Sequence, residues 1–185
     1  MQAATKMPFY SFVNSLLAGL VFIGACMYMF WNDIQPFIKS IVSADSGGIE
    51  IIITISIVAI AYEVGYLIFR IGAIVIEPFF KEIDGRLPYP DFVVSCNKYP
   101  ILADLSREYG YSRTRVILFA IIGVLSAFKA ELLLSFICVV CILVFIITMK
   151  SHTKKINDIV RKNVAEESSL SSTTINKNYM KKKGD

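Results

Sequence analysis

Charged residues inside an apolar segment are the features of this sequence most able to do chemistry. Glu63, Arg70 and Glu77 follow one another at intervals of seven residues, within an otherwise almost wholly apolar run from Ile51 to Phe80. Seven residues turn a helix by about 700°, close to two full turns, so the three side chains share one helix face. A charge in hydrocarbon is costly unless it is paired or hydrated. The pattern therefore predicts that this face meets a partner, water or another subunit.

The composition indicates that the elements carrying this face lie in a membrane. The chain has 185 residues, of which 55% are hydrophobic, and its mean hydropathy is +0.60. Three apolar blocks run from Phe12 to Trp31, from Ile49 to Pro78 and from Val116 to Met149. The last block would form a helix of about 51 Å, too long for one crossing. Because Lys129 and Glu131 interrupt it, we predict an all-α, integral membrane four-helix bundle.

The predicted organisation has three parts. Residues 1–9 form an N-terminal segment, residues 10–150 form the bundle, and residues 151–185 form a largely disordered basic tail. The third span is short, so we expect either that its ends lie in a thinned bilayer or that its helix extends back into the basic segment before it. A helical loop separates spans two and three. The predicted spans are 10–31, 49–78, 113–128 and 131–149, and the loop covers 79–112.

The distribution of basic residues predicts the orientation. Sixteen Lys and Arg residues fall in the N-terminal segment, the region 79–115 and the tail with the adjoining Lys150, whereas only Lys39 and Lys129 fall in the two opposite loops. Basic residues accumulate on the cytoplasmic side of membrane proteins. We therefore expect a multi-pass membrane protein with both termini in the cytoplasm. The net charge of +4 is then mainly an insertion signal, so no direct nucleic-acid contact is expected.

The motifs that mark common enzymes are missing from the sequence. It contains no G-x-S-x-G, no glycine-rich phosphate loop and no H-E-x-x-H. The only histidine is His152, and the Cys138–Cys141 pair lies in an apolar helix without further candidate ligands. We therefore expect no enzymatic activity, no cofactor and no metal site.

The charged face predicts an intramembrane polar network or the lining of a pore. Glu63 and Arg70 lie about 10.5 Å apart along the helix axis, too far for a routine contact within one helix. Their partners should come from neighbouring tyrosines, another span or another subunit. Alternatively, Arg70 snorkels and a protonated Glu63 faces lipid. Glu77 precedes Pro78 and is expected near the interface. The candidate set is Glu63, Arg70, Tyr62, Tyr66, Asn14 and Glu77.

Small residues predict where the spans approach one another. Ser11, Ser15 and Gly19 recur every four residues in the first span, and Ala61 and Gly65 do so in the second. Small residues allow the backbones of membrane helices to come close together. We expect these positions to pack mainly within one subunit.

Two stretches carry a family resemblance: Ala61 to Phe80 and Leu102 to Ala120. They resemble small four-span bacterial membrane proteins that act as accessories in anti-phage loci, beside RNA-targeting type VI-B CRISPR effectors or in RADAR-type defence systems. The resemblance covers about Gly65 to Arg115. The positions that carry it are Tyr66, Arg70, Ile71, Gly72, Glu77, Pro78 and Tyr111 to Arg113.

The resemblance implies a non-enzymatic role in phage defence. We expect a homo-oligomeric protein, embedded in membrane lipid, that perturbs the membrane or forms a pore, or that modulates a cytosolic nucleic-acid-targeting effector. The alternatives are a passive membrane anchor or scaffold, or a small channel or transporter unrelated to defence. An exposed cytoplasmic loop would bind the partner, and its candidate residues are Arg107, Tyr109, Tyr111, Arg113 and Arg115.

Overall fold

The fold is helical, as the sequence predicted. The computed structural model describes residues 3–42, 47–84 and 89–182, and within these ranges only residues 30, 99–100 and 129–131 are not helical. The N-terminal segment, the loop and the tail are therefore described only in part. The helices are α1 (Ala3–Met29), α2 (Trp31–Val42), α3 (Gly47–Asp84), α4 (Tyr89–Lys98), α5 (Ile101–Phe128) and α6 (Leu132–Lys182).

Four of these helices are long and apolar enough to cross a membrane. Their candidate membrane spans are Phe9–Met29, Ile51–Ile76, Ile101–Phe128 and Leu132–Glu166. The protein is thus a multi-pass membrane protein. The third helix begins at Ile101, so it extends back into the basic segment, which is one of the two expectations. The predicted loop is correspondingly shorter, because residues 101–112 belong to α5.

The chain divides into two compact units. The membrane unit comprises Met1–Pro78 and Tyr111–Ile147, and the polar unit comprises Phe79–Gly110 and Thr148–Asp185. Helices α3, α5 and α6 each contribute to both units, because a single long helix of this kind exceeds the thickness of a bilayer.

In the membrane unit, helices α1 and α3 touch backbone to backbone. A Cβ atom added to Gly19 would overlap the carbonyl oxygen of Ala61, and one added to Gly65 would overlap the carbonyl oxygen of Ser15. Each helix therefore places a glycine against a carbonyl of the other. The small-residue prediction is confirmed for these two helices, and the contact lies within one chain.

A tight turn joins α5 to α6. Glu131 N–H donates to the Ser126 carbonyl at 2.9 Å and Ala130 N–H donates to the Ala127 carbonyl at 3.1 Å, which is the bonding pattern of a Schellman helix end. Ala130 has a φ of 59°, a conformation usually left to glycine. Below the turn, the hydroxyls of Ser126 and Ser135 lie 2.7 Å apart. This turn explains how one apolar block supplies two spans.

The polar unit has its own small core. Leu102 packs with Ile156 and Val160, and the partly buried Phe92, Cys96, Tyr99, Leu105 and Ile159 surround them. Asn163 Nδ2 donates to Ser95 Oγ at 3.0 Å, which ties α6 to α4. Burial raises the pKa of the Cys96 thiol.

An ion pair lies at the edge of this core. Lys98 Nζ lies 2.9 Å from Glu166 Oε2, and Tyr99 Oη donates to the same oxygen at 3.4 Å. The hydrogen bond to Glu166 raises the pKa of Lys98. The pair's contribution is present below the ordinary pKa of lysine and is lost as the pH rises through the raised value. Neutral pH therefore leaves it intact.

The first part of the predicted tail continues helix α6, and the disorder expected from Ala165 onward stays a prediction. Helix α6 continues to Lys182. The sequence from Leu132 to Lys182 contains no proline or glycine, so no residue interrupts its hydrogen bonds. In addition, Ile156 and Val160 bury the first part of the tail in the polar unit.

Candidate functional site

The candidate site is an exposed stripe on helix α3. Glu63 and Arg70 lie on the outer surface of the membrane unit, whereas Ala61, Gly65 and Ile68 on the same helix are buried. The exposed residues alternate at spacings of four and three, which is the spacing of a helix-packing seam. We call this set the α3 seam. It consists of Ser56, Ile60, Glu63, Leu67, Arg70 and Ile74, all exposed.

Arg70 is held by Tyr66, one turn earlier on the same helix. Its Nε donates to Tyr66 Oη at 2.8 Å, its Nη2 donates to the same oxygen, and its Cζ lies 5.0 Å from the ring centroid. Of the partners that the sequence allowed, the structure selects Tyr66. The Arg70 side chain therefore points along α3 toward the level of Glu63.

An aromatic ladder supports this arrangement. The rings of Tyr66 and Tyr62 stack with centroids 6.3 Å apart, and Tyr62 contacts Phe12 of α1 at 5.1 Å. The ladder fixes the position of the phenol that binds Arg70, because two ring contacts restrict the rotation of Tyr62 and Tyr66. Tyr62 thus contributes through its ring.

Glu63 has no such support. Its side chain is exposed, and it makes no hydrogen bond or ion pair with any residue in the described ranges 3–42, 47–84 and 89–182. Twelve residues separate it from Ile51, where the span begins, a distance of about 18 Å along the axis. The carboxyl group therefore lies well inside a hydrocarbon layer of about 30 Å.

Asn14 belongs to a different polar cluster from Arg70. Its Nδ2 donates to Thr114 Oγ1 of α5 at a long 3.5 Å, and both residues are buried, as is Ser15. Within the described part of the chain, Asn14 Oδ1 and Ser15 Oγ have no hydrogen-bond partner. The expectation that Asn14 joins the Arg70 network is therefore wrong. Asn14 instead helps to bind α1 to α5.

Positions on three helices lie at the same depth as this cluster. Asn14 lies 15 residues from Met29, Thr114 lies 14 residues from Phe128, and Gly65 lies 14 residues from Ile51. Each interval is about 21 to 22 Å at 1.5 Å per residue. The three polar or small positions thus share one level, and distances along the helices can be compared between spans.

Glu77 lies in helix α3 immediately before Pro78. Its side chain is not among those that the structure describes, so its predicted role at the interface stays a prediction.

The five residues predicted to bind a partner do not form an exposed surface. Tyr109 is only 3% exposed, Arg113 8% and Arg115 5%. Arg107 forms an ion pair with Asp104, and Tyr111 packs edge-on against Phe145 with centroids 6.2 Å apart. These residues belong to the continuous helix α5, where Tyr109, Arg113 and Arg115 are buried and Arg107 and Tyr111 are partly buried. The assignment of this set as an exposed docking loop is therefore wrong.

The sequence did contain a signal for this burial. Leu102, Leu105, Tyr109, Ser112 and Val116 alternate at spacings of three and four, the pattern of one buried helix face. The charged residues between these positions made the pattern of the buried face less apparent in the sequence. Arg113 lies with its Cζ 5.3 Å from the ring centroid of Phe69, and its side chain contacts Gly72. A residue of the second span therefore accommodates a buried arginine of the third.

The described ranges contain no group of three His, Cys, Asp or Glu residues that could hold a metal ion. The site is thus defined by the Glu63 carboxyl group, the Arg70 guanidinium and the tyrosines that hold Arg70. Comparison with known proteins adds no relative, because no family model, no curated protein and no solved structure matches this chain.

Proposed function

We propose that this protein is a non-enzymatic, homo-oligomeric component of an anti-phage defence system in the bacterial inner membrane. Both termini lie in the cytoplasm. It acts by perturbing the membrane or forming a pore, or by modulating a cytosolic nucleic-acid-targeting partner. The observation that carries the oligomeric part is the exposure of Glu63 and Arg70 on one face of the membrane unit. The defence role rests on the resemblance of the second and third spans.

The exposed Glu63 and Arg70 support self-association because lipid chains provide neither a counter-charge nor a hydrogen-bond partner. A charged side chain near the bilayer centre is unfavourable by about 2.5 kcal/mol or more. Another copy of the chain supplies the complementary charge on the same α3 seam. The strong excess of basic residues on one side makes all copies insert in one orientation. Every copy then presents Glu63 and Arg70 at the same two depths.

The contact between Arg70 and Tyr66 brings the guanidinium to a depth at which it can pair with Glu63 of another copy. The Arg70 guanidinium is drawn back by about one turn, to the level of Tyr66, which is three residues or about 4.5 Å from the level of Glu63. Arg70 of one copy and Glu63 of the next can therefore meet across the seam. Leu67 provides apolar packing between the charged levels, and Ile60 and Ile74 provide it on either side of them.

Oxidative cross-linking tests the interface without altering its charges. Leu67→Cys lies at the centre of the seam, and Leu67 is 59% exposed; Val124→Cys on α5 is a matched control, since Val124 is 57% exposed. We expect a disulfide-linked dimer from Leu67→Cys in native membranes and none from Val124→Cys. The native cysteines are present in both variants, so they cannot explain a difference. Equal cross-linking, or none at Leu67→Cys, would contradict the interface.

Charge reversal then tests the pairing itself. Glu63→Arg and Arg70→Glu should each reduce the oligomeric fraction, and the double variant should restore it. Glu131→Arg, an exposed carboxylate in the turn outside the seam, should have no effect. If either single reversal leaves the oligomeric fraction unchanged, the pairing of Glu63 with Arg70 does not stabilise the interface.

A passive anchor or scaffold is the second candidate, and the packing of α1 against α3 favours it. Where Gly19 and Gly65 meet carbonyl groups of the facing helix, the two backbones leave no room for water between them. A single copy is therefore unsuited to conduct along this contact, and conduction would require several copies. Ion flux through liposomes separates the two candidates, because a scaffold leaves the leakage at its background level.

A further inference from the structure

Arg115 is a buried arginine that forms no ion pair with the described residues. Its side chain is 5% exposed, and its Nε is buried with no hydrogen-bond partner among the described residues. Its contact with the rest of the membrane unit is a ring, since its Cζ lies 4.7 Å from the centroid of Tyr111. A guanidinium presents five N–H donors. The hydrogen-bonding capacity of Arg115 is therefore left unused.

The carboxylates of the membrane unit whose side chains the structure describes do not neutralise it. Asp33 lies 3.8 Å from Lys129, and Glu63 and Glu131 are exposed without a contact to Arg115. Arg70, by contrast, is bound by a tyrosine hydroxyl. An uncompensated buried charge is strongly unfavourable, so Arg115 calls for an anion from outside the chain.

The depth of the guanidinium identifies where that anion would be. Arg115 lies 13 residues from Phe128, at the α5 end of the turn, or about 20 Å along the axis. The side chain then runs back toward Tyr111, which lies about 25 Å from that end. A hydrocarbon layer of about 30 Å places the guanidinium close to the opposite boundary, the level at which the phosphates of phospholipids begin.

We propose that Arg115 binds the phosphate of an anionic phospholipid in the leaflet that surrounds the first part of α5. The fork of a guanidinium matches two phosphate oxygens. Tyr111 holds the guanidinium by its ring face, and Phe145 packs on Tyr111 and on Phe119, with centroids 6.2 and 6.0 Å apart. These rings form an apolar wall that suits the lipid's glycerol and upper acyl chains. The site lies on a different helix from the α3 seam and does not depend on oligomerisation.

Thermal unfolding of the full-length protein in a mild detergent tests this site. The additions are dioleoyl phosphatidylglycerol, dioleoyl phosphatidylcholine and inorganic phosphate, each at the same concentration. A ligand that binds only the folded state raises Tm. We expect phosphatidylglycerol to raise the Tm of the wild-type protein by several degrees and phosphatidylcholine to have a much smaller effect, because its choline group neutralises the phosphate.

The variants assign the effect to Arg115. Arg115→Gln should abolish the shift caused by phosphatidylglycerol, and Arg161→Gln, which removes an exposed charge from the polar unit, should retain it. An equal shift in Arg115→Gln and wild type would overturn the proposal. A full shift with inorganic phosphate alone would assign the site to a free anion and overturn the lipid. If wild-type protein shows no preference for phosphatidylglycerol over phosphatidylcholine, the proposal fails without any variant.

Discussion

At the scale of single residues, the direction of a side chain decides the character of the site. Arg70 turns back along α3 because Tyr66 offers a hydroxyl acceptor one turn earlier, which agrees with the tendency of helical side chains to lean toward the N-terminus. Glu63 has no comparable partner within the described chain. The guanidinium is thus held near the level of Glu63, and no carboxyl group of the described residues contacts it.

Tyr66→Phe tests this organisation. The change removes the hydroxyl and keeps the ring, so Arg70 is no longer held near the level of Glu63. We expect self-association in liposomes to weaken by about 1 kcal/mol, roughly fivefold, the size typical of a hydrogen bond between membrane helices. Energy transfer between labelled copies, measured while the lipid-to-protein ratio is raised, gives this value.

Tyr62→Phe is the matched control for that experiment. The structure assigns Tyr62 two ring contacts and no hydrogen bond within the described residues, so loss of its hydroxyl should leave self-association unchanged. Equal weakening by both substitutions would indicate a general effect of tyrosine hydroxyls at this surface.

At the scale of elements, the glycine contacts set how closely the first two spans pack. Gly19 and Gly65 each meet a backbone carbonyl of the opposite helix, and such close approach maximises van der Waals contact where lipid provides no hydrophobic driving force. The Asn14–Thr114 hydrogen bond then links α1 to α5. The seam is left on the outside because the small residues of α3 occupy its inner face.

Gly19→Ala should destabilise the membrane unit. The added methyl group would overlap the Ala61 carbonyl, so α1 and α3 must separate, at a cost of about 1–3 kcal/mol. Gly24 lies on the same helix with open space around its Cβ position. Gly24→Ala should therefore be neutral, or stabilising by up to about 1 kcal/mol. Thermal unfolding in detergent compares the two, and equal Tm values would refute the close contact.

At the scale of the whole molecule, the proposed function requires the seam to act in an assembly. The membrane unit supplies the seam, and the polar unit exposes the apolar side chains of Val93, Val94 and Ile101, to which the proposed cytosolic partner would bind. A partner can change the state of the membrane unit only if it binds two states of the protein with different affinity.

Arg70→Ala should therefore abolish phage protection while membrane levels stay normal. The measurement is plaque formation on cells carrying the complete locus, with immunoblots of membrane fractions. Ile74→Ala, an apolar change on the same seam, is a control that keeps both charges and should retain most of the protection. Full protection by well-expressed Arg70→Ala protein would contradict a role of the seam in defence, and background ion flux in liposomes would favour a scaffold.

Much of the architecture follows from local physics. Long apolar runs must become helices in a bilayer, because each backbone group needs a partner within its own segment. The break at Lys129 and Glu131 accordingly predicted two spans joined by a tight turn, which the structure shows around Ala130. The same reasoning allowed the short third span to extend backward. For the tail, polar composition argues for disorder, whereas the absence of proline and glycine allows α6 to continue to Lys182.

The sequence by itself determined the helical class, the four spans and the shared face of Glu63, Arg70 and Glu77, because these depend on hydrophobic length and helical period. Only the tertiary structure decided which faces are covered. It bound Arg70 to Tyr66 and left Glu63 exposed. It also buried Arg113 and Arg115, which the sequence had placed on an exposed loop. Periodicity orders residues around one helix, whereas burial depends on which neighbouring helix packs against each face.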